Sequence, residues 1–193
     1  MAPRAQRTQC CGVVVDVQEF FLCELDPSRR KSIEAGTEAL SRLLGVLKAP
    51  LLFTLERPVP VKGALPTGLA KIAEEFSASV MEKDYFDLTK EGAISTHLRQ
   101  VGKKQVILAG CETDVCILQS CLGLLDQGYE VFVVEDLLFS STENVGSAIE
   151  RMKTAGAIFV TFKTLFHELM QAVEGSPLRA TLLPKELSAF EFD

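Results

Sequence analysis

Short apolar runs alternate with helical patterns along this chain, and that rhythm constrains the fold more than any other feature. Cys11 to Val15, Leu51 to Leu55, Ser79 to Met81, Gln105 to Ala109, Tyr129 to Val134 and Ala157 to Thr161 read as strands. Ser28 is placed to cap a helix in which Ile33, Thr37, Leu40, Leu44 and Leu47 recur at spacings of three or four, and Pro50 ends it. Further helical patterns run from Gly92 to Val101, from Cys116 to about Gly128, from Glu143 to Thr154 and from Thr164 to Val173. The stretch from Glu56 to Gly68 holds Pro58, Pro60 and Pro66 and reads as a loop. Such βαβ alternation predicts an α/β fold in three layers, a mainly parallel sheet between helices. With no internal repeat, low-complexity block or linker, one domain is expected over residues 1–193.

The totals exclude several classes of function. Of 193 residues, 47% are hydrophobic and 24% charged, enough apolar content for one sizeable core. A net charge of -6 gives no basic footprint for nucleic acid, and the clusters Arg29-Arg30-Lys31 and Lys103-Lys104 read as solvated faces. No apolar stretch reaches the roughly 18 residues of a membrane helix. Cys10, Cys11, Cys23, Cys111, Cys116 and Cys121 lie in or beside apolar runs, with no signal-peptide core before them. Reduced thiols are the better reading, so a cytoplasmic protein is expected. Two arginines near the start leave mitochondrial association open.

Three strands end on groups that carry chemistry. Asp16 follows the first apolar run, Lys83 follows Ser79-Val80-Met81, and Cys116 follows Val106 to Ala109 by way of Gly110. Active sites of open α/β sheets lie beyond the carboxyl ends of strands. Cys116 falls in the first turn of a helix, where free N–H groups and the positive dipole end favour a thiolate. Thr113 and Asp114 read as helix-entry residues that satisfy free N–H groups.

Asp16-Val17-Gln18-Glu19-Phe20-Phe21, Glu82-Lys83-Asp84-Tyr85-Phe86 and Gly110-Cys111-Glu112-Thr113-Asp114-Val115-Cys116-Ile117 together resemble the isochorismatase-like cysteine hydrolases, in the expected order. The small isochorismatase domain-containing proteins, some of which carry a mitochondrion-associated ribonuclease name, are the group the chain resembles most. The resemblance implies a triad. Cys116 would be the nucleophile, Asp16 would take and return its proton, and Lys83 would be the fixed cation that stabilises thiolate or intermediate. It also implies a non-proline cis peptide between Cys111 and Glu112, with the backbone N–H groups of Glu112 and Cys116 forming an oxyanion hole. Gln18, Phe21, Phe86 and Glu112 would line the substrate pocket. The implied reaction is metal-independent hydrolysis of a small amide or related C–N bond through a thioester, with no cofactor and in a homo-oligomer.

The chain departs from the nicotinamidase pattern. Leu55-Glu56-Arg57-Pro58-Val59-Pro60-Val61-Lys62 contains none of the histidines that would hold a metal, and the two histidines, His97 and His167, read as surface helix residues. No catalytic metal is therefore expected. Plainer readings stand beside these roles. Cys111 and Cys121 read as packing residues, Phe20, Phe21 and Phe86 as core or pocket wall, and Lys83 as half of a solvated pair with Glu82 or Asp84. Two other functions stay open: a non-catalytic interaction protein on the same scaffold, and a ribonuclease, which the acidic charge disfavours.

Overall fold

The computed structural model describes residues 3–173. Six strands form one sheet: β1 (Cys10–Val15), β2 (Leu51–Glu56), β3 (Ser79–Lys83), β4 (Gln105–Gly110), β5 (Glu130–Leu138) and β6 (Ile158–Val160). The helices are α1 (Glu19–Leu22), α2 (Pro27–Val46), α3 (Val59–Lys62), α4 (Thr67–Glu75), α5 (Gly92–Val101), α6 (Leu118–Asp126), α7 (Gly146–Thr154) and α8 (Phe162–Met170). The strand order is β3-β2-β1-β4-β5-β6, and every adjacent pair is parallel. Order reverses between β1 and β4, so a crevice is expected beyond the carboxyl ends of those two strands. The single-domain expectation takes in residues 1, 2 and 174–193, which lie outside the described residues.

Burial on both faces explains why the central strands read as continuous apolar runs. Val14, Ile107, Ala109, Phe132 and Val134 share one core with Ile33, Leu40 and Leu44 of α2 and Leu165 and Leu169 of α8. Cys11, Val13, Val15, Val106, Leu108, Val131 and Val133 share the other with Ile94 and Leu98 of α5, Leu124 of α6 and Met152 of α7. Alternate residues of each strand thus feed opposite layers, as the period of two requires.

Several boundaries differ from the sequence reading. The cap of α2 is Asp26, whose Oδ1 accepts from the N–H groups of Ser28 and Arg29 at 3.0 Å, with Pro27 at the first helical position. The loop assigned to 56–68 contains the one-turn α3, and α4 begins inside it at Thr67, because Pro66 serves as a stop before a helix rather than within a loop. The last helices are shorter than their patterns: α7 starts at Gly146, and α8 ends at Met170 before the left-handed Gln171. Among the described residues no helix is long and apolar enough to cross a membrane.

Candidate active site

Strand ends bring four ionisable side chains to one point. Gly110 closes β4 at φ +118°, and a Cβ there would lie 2.1 Å from the Val15 carbonyl oxygen, so only glycine lets β4 end this close to β1. The Cys111 N–H then donates to that same carbonyl at 3.0 Å. One residue past β1, Asp16 takes a left-handed φ of +53°, and the Gln18 N–H donates to its carbonyl at 2.8 Å. This turn sends the Asp16 carboxylate inward, where it is fully buried. Lys83, the last residue of β3, is fully buried too. Glu82 and Asp84 on either side of it pair instead with the exposed Arg57, at 2.9 and 2.5 Å. The solvated pair that the flanking acids suggested for Lys83 is therefore made by Arg57.

The Lys83 ammonium is the centre of the cluster. It lies 2.6 Å from Asp16 Oδ2, 3.4 Å from Glu56 Oε2 and 3.5 Å from Cys116 Sγ. Thr54 donates to Asp16 Oδ1 at 2.7 Å. The Cys116 thiol donates not to Asp16 but to Glu56 Oε2, at 3.0 Å, and the other oxygen of Glu56 is ion-paired with Lys62. Donor atoms of Asp16, Glu56 and Cys116 all lie within 4.8 Å of one another, a spacing that a metal ion would accept. The cation in their midst is the ammonium of Lys83, which a metal would have to displace.

Cys116 sits in a wide π turn, Thr113–Ile117, that leads into α6, rather than in the first turn of an α-helix. The peptide between Cys111 and Glu112 is cis. The N–H of Thr113 donates to the Phe139 carbonyl, and that of Ile117 to the Glu112 carbonyl. Thr113 and Asp114 do not cap this turn. Thr113 Oγ1 donates to the Phe139 carbonyl at 3.0 Å and Asp114 accepts from Ser140, so both tie the turn to the chain after β5.

The electrostatics correct the expectation of a favoured thiolate. Burial is the largest push on Cys116, the Asp16 charge adds to it, and the hydrogen bond to Glu56 further favours the protonated form. Lys83 opposes them without prevailing, so the thiol is held well above its usual range. Burial likewise raises the Asp16 carboxyl, against the pull of Lys83 and Thr54. Glu56 feels burial first as well, yet its bonds from Cys116 and Lys62 and the charge of Lys83 bring it below the usual carboxylate value. Burial opposes the charge of Lys83, but Asp16 foremost, then Cys116 and Glu56, keep it raised. Counted with a neutral thiol, two carboxylates balance two ammonium groups. A thiolate would add one uncompensated negative charge.

The remaining expected site residues separate. Gln18 is fully buried and acts as a rivet: its Oε1 accepts from the Glu56 N–H at 2.7 Å and its Nε2 donates to the Gly63 carbonyl at 2.6 Å. Phe21 belongs to the core, with the Lys62 ammonium 5.6 Å from its ring centre. Glu112 accepts from the Ser141 N–H at 3.1 Å. Phe86 is 56% exposed and so lines no enclosed wall within one chain. Cys111 is buried, donating to the Asp16 carbonyl at 3.2 Å, and Cys121 is buried in the other core. His97 is half-buried on α5, and His167 is exposed on α8.

Sequence reasoning missed Glu56. A signal existed, since an acid closes the apolar run of β2 as Asp16 closes that of β1, and Thr54 precedes it on the same face. The prolines that follow drew the position into a loop.

Known proteins share this fold and part of this sequence. The isochorismatase domain matches residues 10–164. Isochorismatase domain-containing protein 2 of Xenopus laevis is 32% identical over 158 residues, 78% of this chain and 75% of its own. Among solved structures, the YcaC gene product of Escherichia coli, described as an octameric hydrolase of unknown specificity, superimposes with a TM-score of 0.82 at 25% identity, covering 94% of this chain and 91% of that one. The MAR1 ribonuclease of Caenorhabditis elegans shares the fold, with a TM-score of 0.78 at 24% identity over 93% of this chain and 90% of its own. A match across most of the chain, on the sheet order that joins these strand ends, makes the protein a member of the isochorismatase family.

Proposed function

We propose that this protein is a metal-independent cysteine hydrolase that cleaves a small amide or related C–N bond through a thioester on Cys116. One observation carries the reading: a single buried ammonium, Lys83, touches both the Asp16 carboxylate and the Cys116 sulfur at the switch point of the sheet. In the sequence of events the thiol proton passes to Asp16, whose raised pKa suits it to hold and return a proton. The sulfur adds to the substrate carbonyl, and the N–H groups of Glu112 and Cys116 receive the oxyanion. Collapse breaks the C–N bond as Asp16 returns the proton to the leaving nitrogen, releasing ammonia or an amine. Water then adds to the thioester with Asp16 as base, giving the carboxylic acid and the free thiol.

The arrangement described above is a closed one. Cys116 is 1% exposed, and its hydrogen is committed to Glu56. Substrate must displace Glu56 from the sulfur before the thiol can turn to Asp16. On this reading Gln18, which holds Gly63, lines the substrate pocket that then opens, together with Phe21 and Glu112. Phe86 and its exposed neighbour Tyr85 become pocket wall if a second subunit covers them, in line with the octameric relative, and light scattering in solution tests for such a homo-oligomer. The six free cysteines suit a reducing, cytoplasmic setting.

The same closure favours a second reading, a binding protein that keeps the scaffold without turnover, because the thiol is protonated and covered. Ammonia release across a panel of small amides separates the two. Loss of about a thousandfold or more in Cys116→Ala is expected for the hydrolase. A rate that survives the substitution would contradict it.

A further inference from the structure

We propose that the substrate carries an ammonium or guanidinium group, and that Lys62 occupies the slot for it in the closed enzyme. The inference rests on the hydrolase reading for the reaction, though the slot itself does not depend on it. Phe20 and Phe21 stand edge to face, their ring centres 5.2 Å apart at 88°, and form a corner. The Lys62 ammonium lies in this corner, 5.8 and 5.6 Å from the two ring centres, and its counter-ion is Glu56. Aromatic faces beside a carboxylate are the chemistry that binds organic cations. The Glu56 and Lys62 side chains are 11% and 18% exposed, so the charge pair is largely shielded from water. One carboxylate width separates this corner from the sulfur, because the other oxygen of Glu56 is the one that holds the thiol.

Two features make Lys62 a displaceable occupant rather than a structural rivet. It is carried on α3, a single turn with no buried residue, so moving it uncovers no core. The slot, in contrast, is fixed from below: Gln18 holds the backbone at Glu56, and Phe21 is 9% exposed, while the bond from Gln18 to Gly63 leaves the Lys62 side chain free to swing. Glu24 borders the shallow cavity outside Lys62, where Glu19 is already ion-paired with Arg30, so Glu24 is the acid that faces an arriving cation. A substrate cation that replaced Lys62 would hold Glu56 by the oxygen that faces the corner and bring its carbonyl to within one carboxylate width of the sulfur. Small amides with a cationic group a few bonds from the scissile carbonyl fit this layout. Neutral amides would leave Lys62 in place and the thiol covered.

The test uses Lys62→Ala, which empties the corner, with n-butylammonium as a stand-in for the lost side-chain end and 1-butanol as its neutral counterpart. Calorimetric titration should show n-butylammonium binding Lys62→Ala about tenfold more tightly than 1-butanol does, and about tenfold more tightly than it binds the wild type. The preference should vanish in Lys62→Ala with Glu56→Gln. Equal affinity for the two compounds, no binding of either, or a preference that persists without Glu56 overturns the proposal. None of these readouts involves Cys116 chemistry. A failed slot therefore leaves the hydrolase reading standing, and an inert Cys116 leaves the slot standing.

Discussion

Glu56→Gln should make Cys116 more acidic and more reactive, although it removes a hydrogen-bonding partner of the thiol. The Glu56 oxygen lies 3.0 Å from the sulfur. At an effective dielectric near 20, two unit charges at that separation repel by about 5 kcal/mol, equivalent to roughly 4 pKa units. Lys62 on the other oxygen cancels part of that field, so a fall of about 2 units in the Cys116 pKa is the expected result. At a pH below both values the thiolate fraction then rises about a hundredfold. Intrinsic nucleophilicity falls about tenfold over the same interval, which leaves a net gain of about tenfold in rate. The assay is the pH dependence of modification by a neutral dipyridyl disulfide, with peptide mapping to Cys116. Easier access after the substitution would raise the rate at every pH without moving the midpoint, so the midpoint is the deciding quantity. An unchanged or higher midpoint in Glu56→Gln would mean that the Glu56 charge is not what keeps the thiol protonated.

Lys83→Met should destabilise the fold by about 3–5 kcal/mol, because it strands the buried Asp16 carboxylate, and the melting temperature should fall by roughly 6–20 °C. In that variant Asp16 folds best when protonated, so its stability should be greatest at low pH and fall as pH rises through the raised folded pKa. Calorimetry from pH 5 to 8 reads both effects. Glu56 behaves oppositely: its folded pKa is depressed, so its contribution is present above the unfolded value and lost as pH falls through the folded one. Urea denaturation of wild type and Glu56→Gln should therefore converge as the pH drops below about 4. Gly110→Ala should cost about 2 kcal/mol or more in the same assay, from a positive φ and a Cβ set against the Val15 carbonyl.

Much of this arrangement was legible in the sequence because it follows from burial. Runs such as Val106 to Ala109 are apolar on consecutive residues, short, and followed by glycine, as strands covered on both faces are, so layers and strand identities could be read directly. Asp16 and Cys116 stood out as chemistry-bearing groups where such runs stop. What escaped depends on contacts between distant segments. Nothing local to Glu56 tells that Gln18, far away in the chain, fixes its backbone, or that Lys62 holds one oxygen while Cys116 holds the other. Thr113 and Asp114 have the composition of caps, yet the chain after β5 claims their side chains. The thiol is the clearest case: helix entry and a nearby lysine favour a thiolate, but two carboxylates and complete burial outweigh them. That balance needs positions in space, since Asp16 follows β1, Glu56 ends β2 and Cys116 lies in the turn after β4.

The proposed reaction stands on acylation of Cys116. Rapid acid quench during turnover of a cationic amide, followed by intact-mass and peptide analysis, reads this directly. An acyl adduct is expected on the peptide carrying Cys116, present in the wild type and absent in Cys116→Ala. Ammonia release without any adduct on Cys116, or an adduct on another cysteine that survives Cys116→Ala, would contradict it.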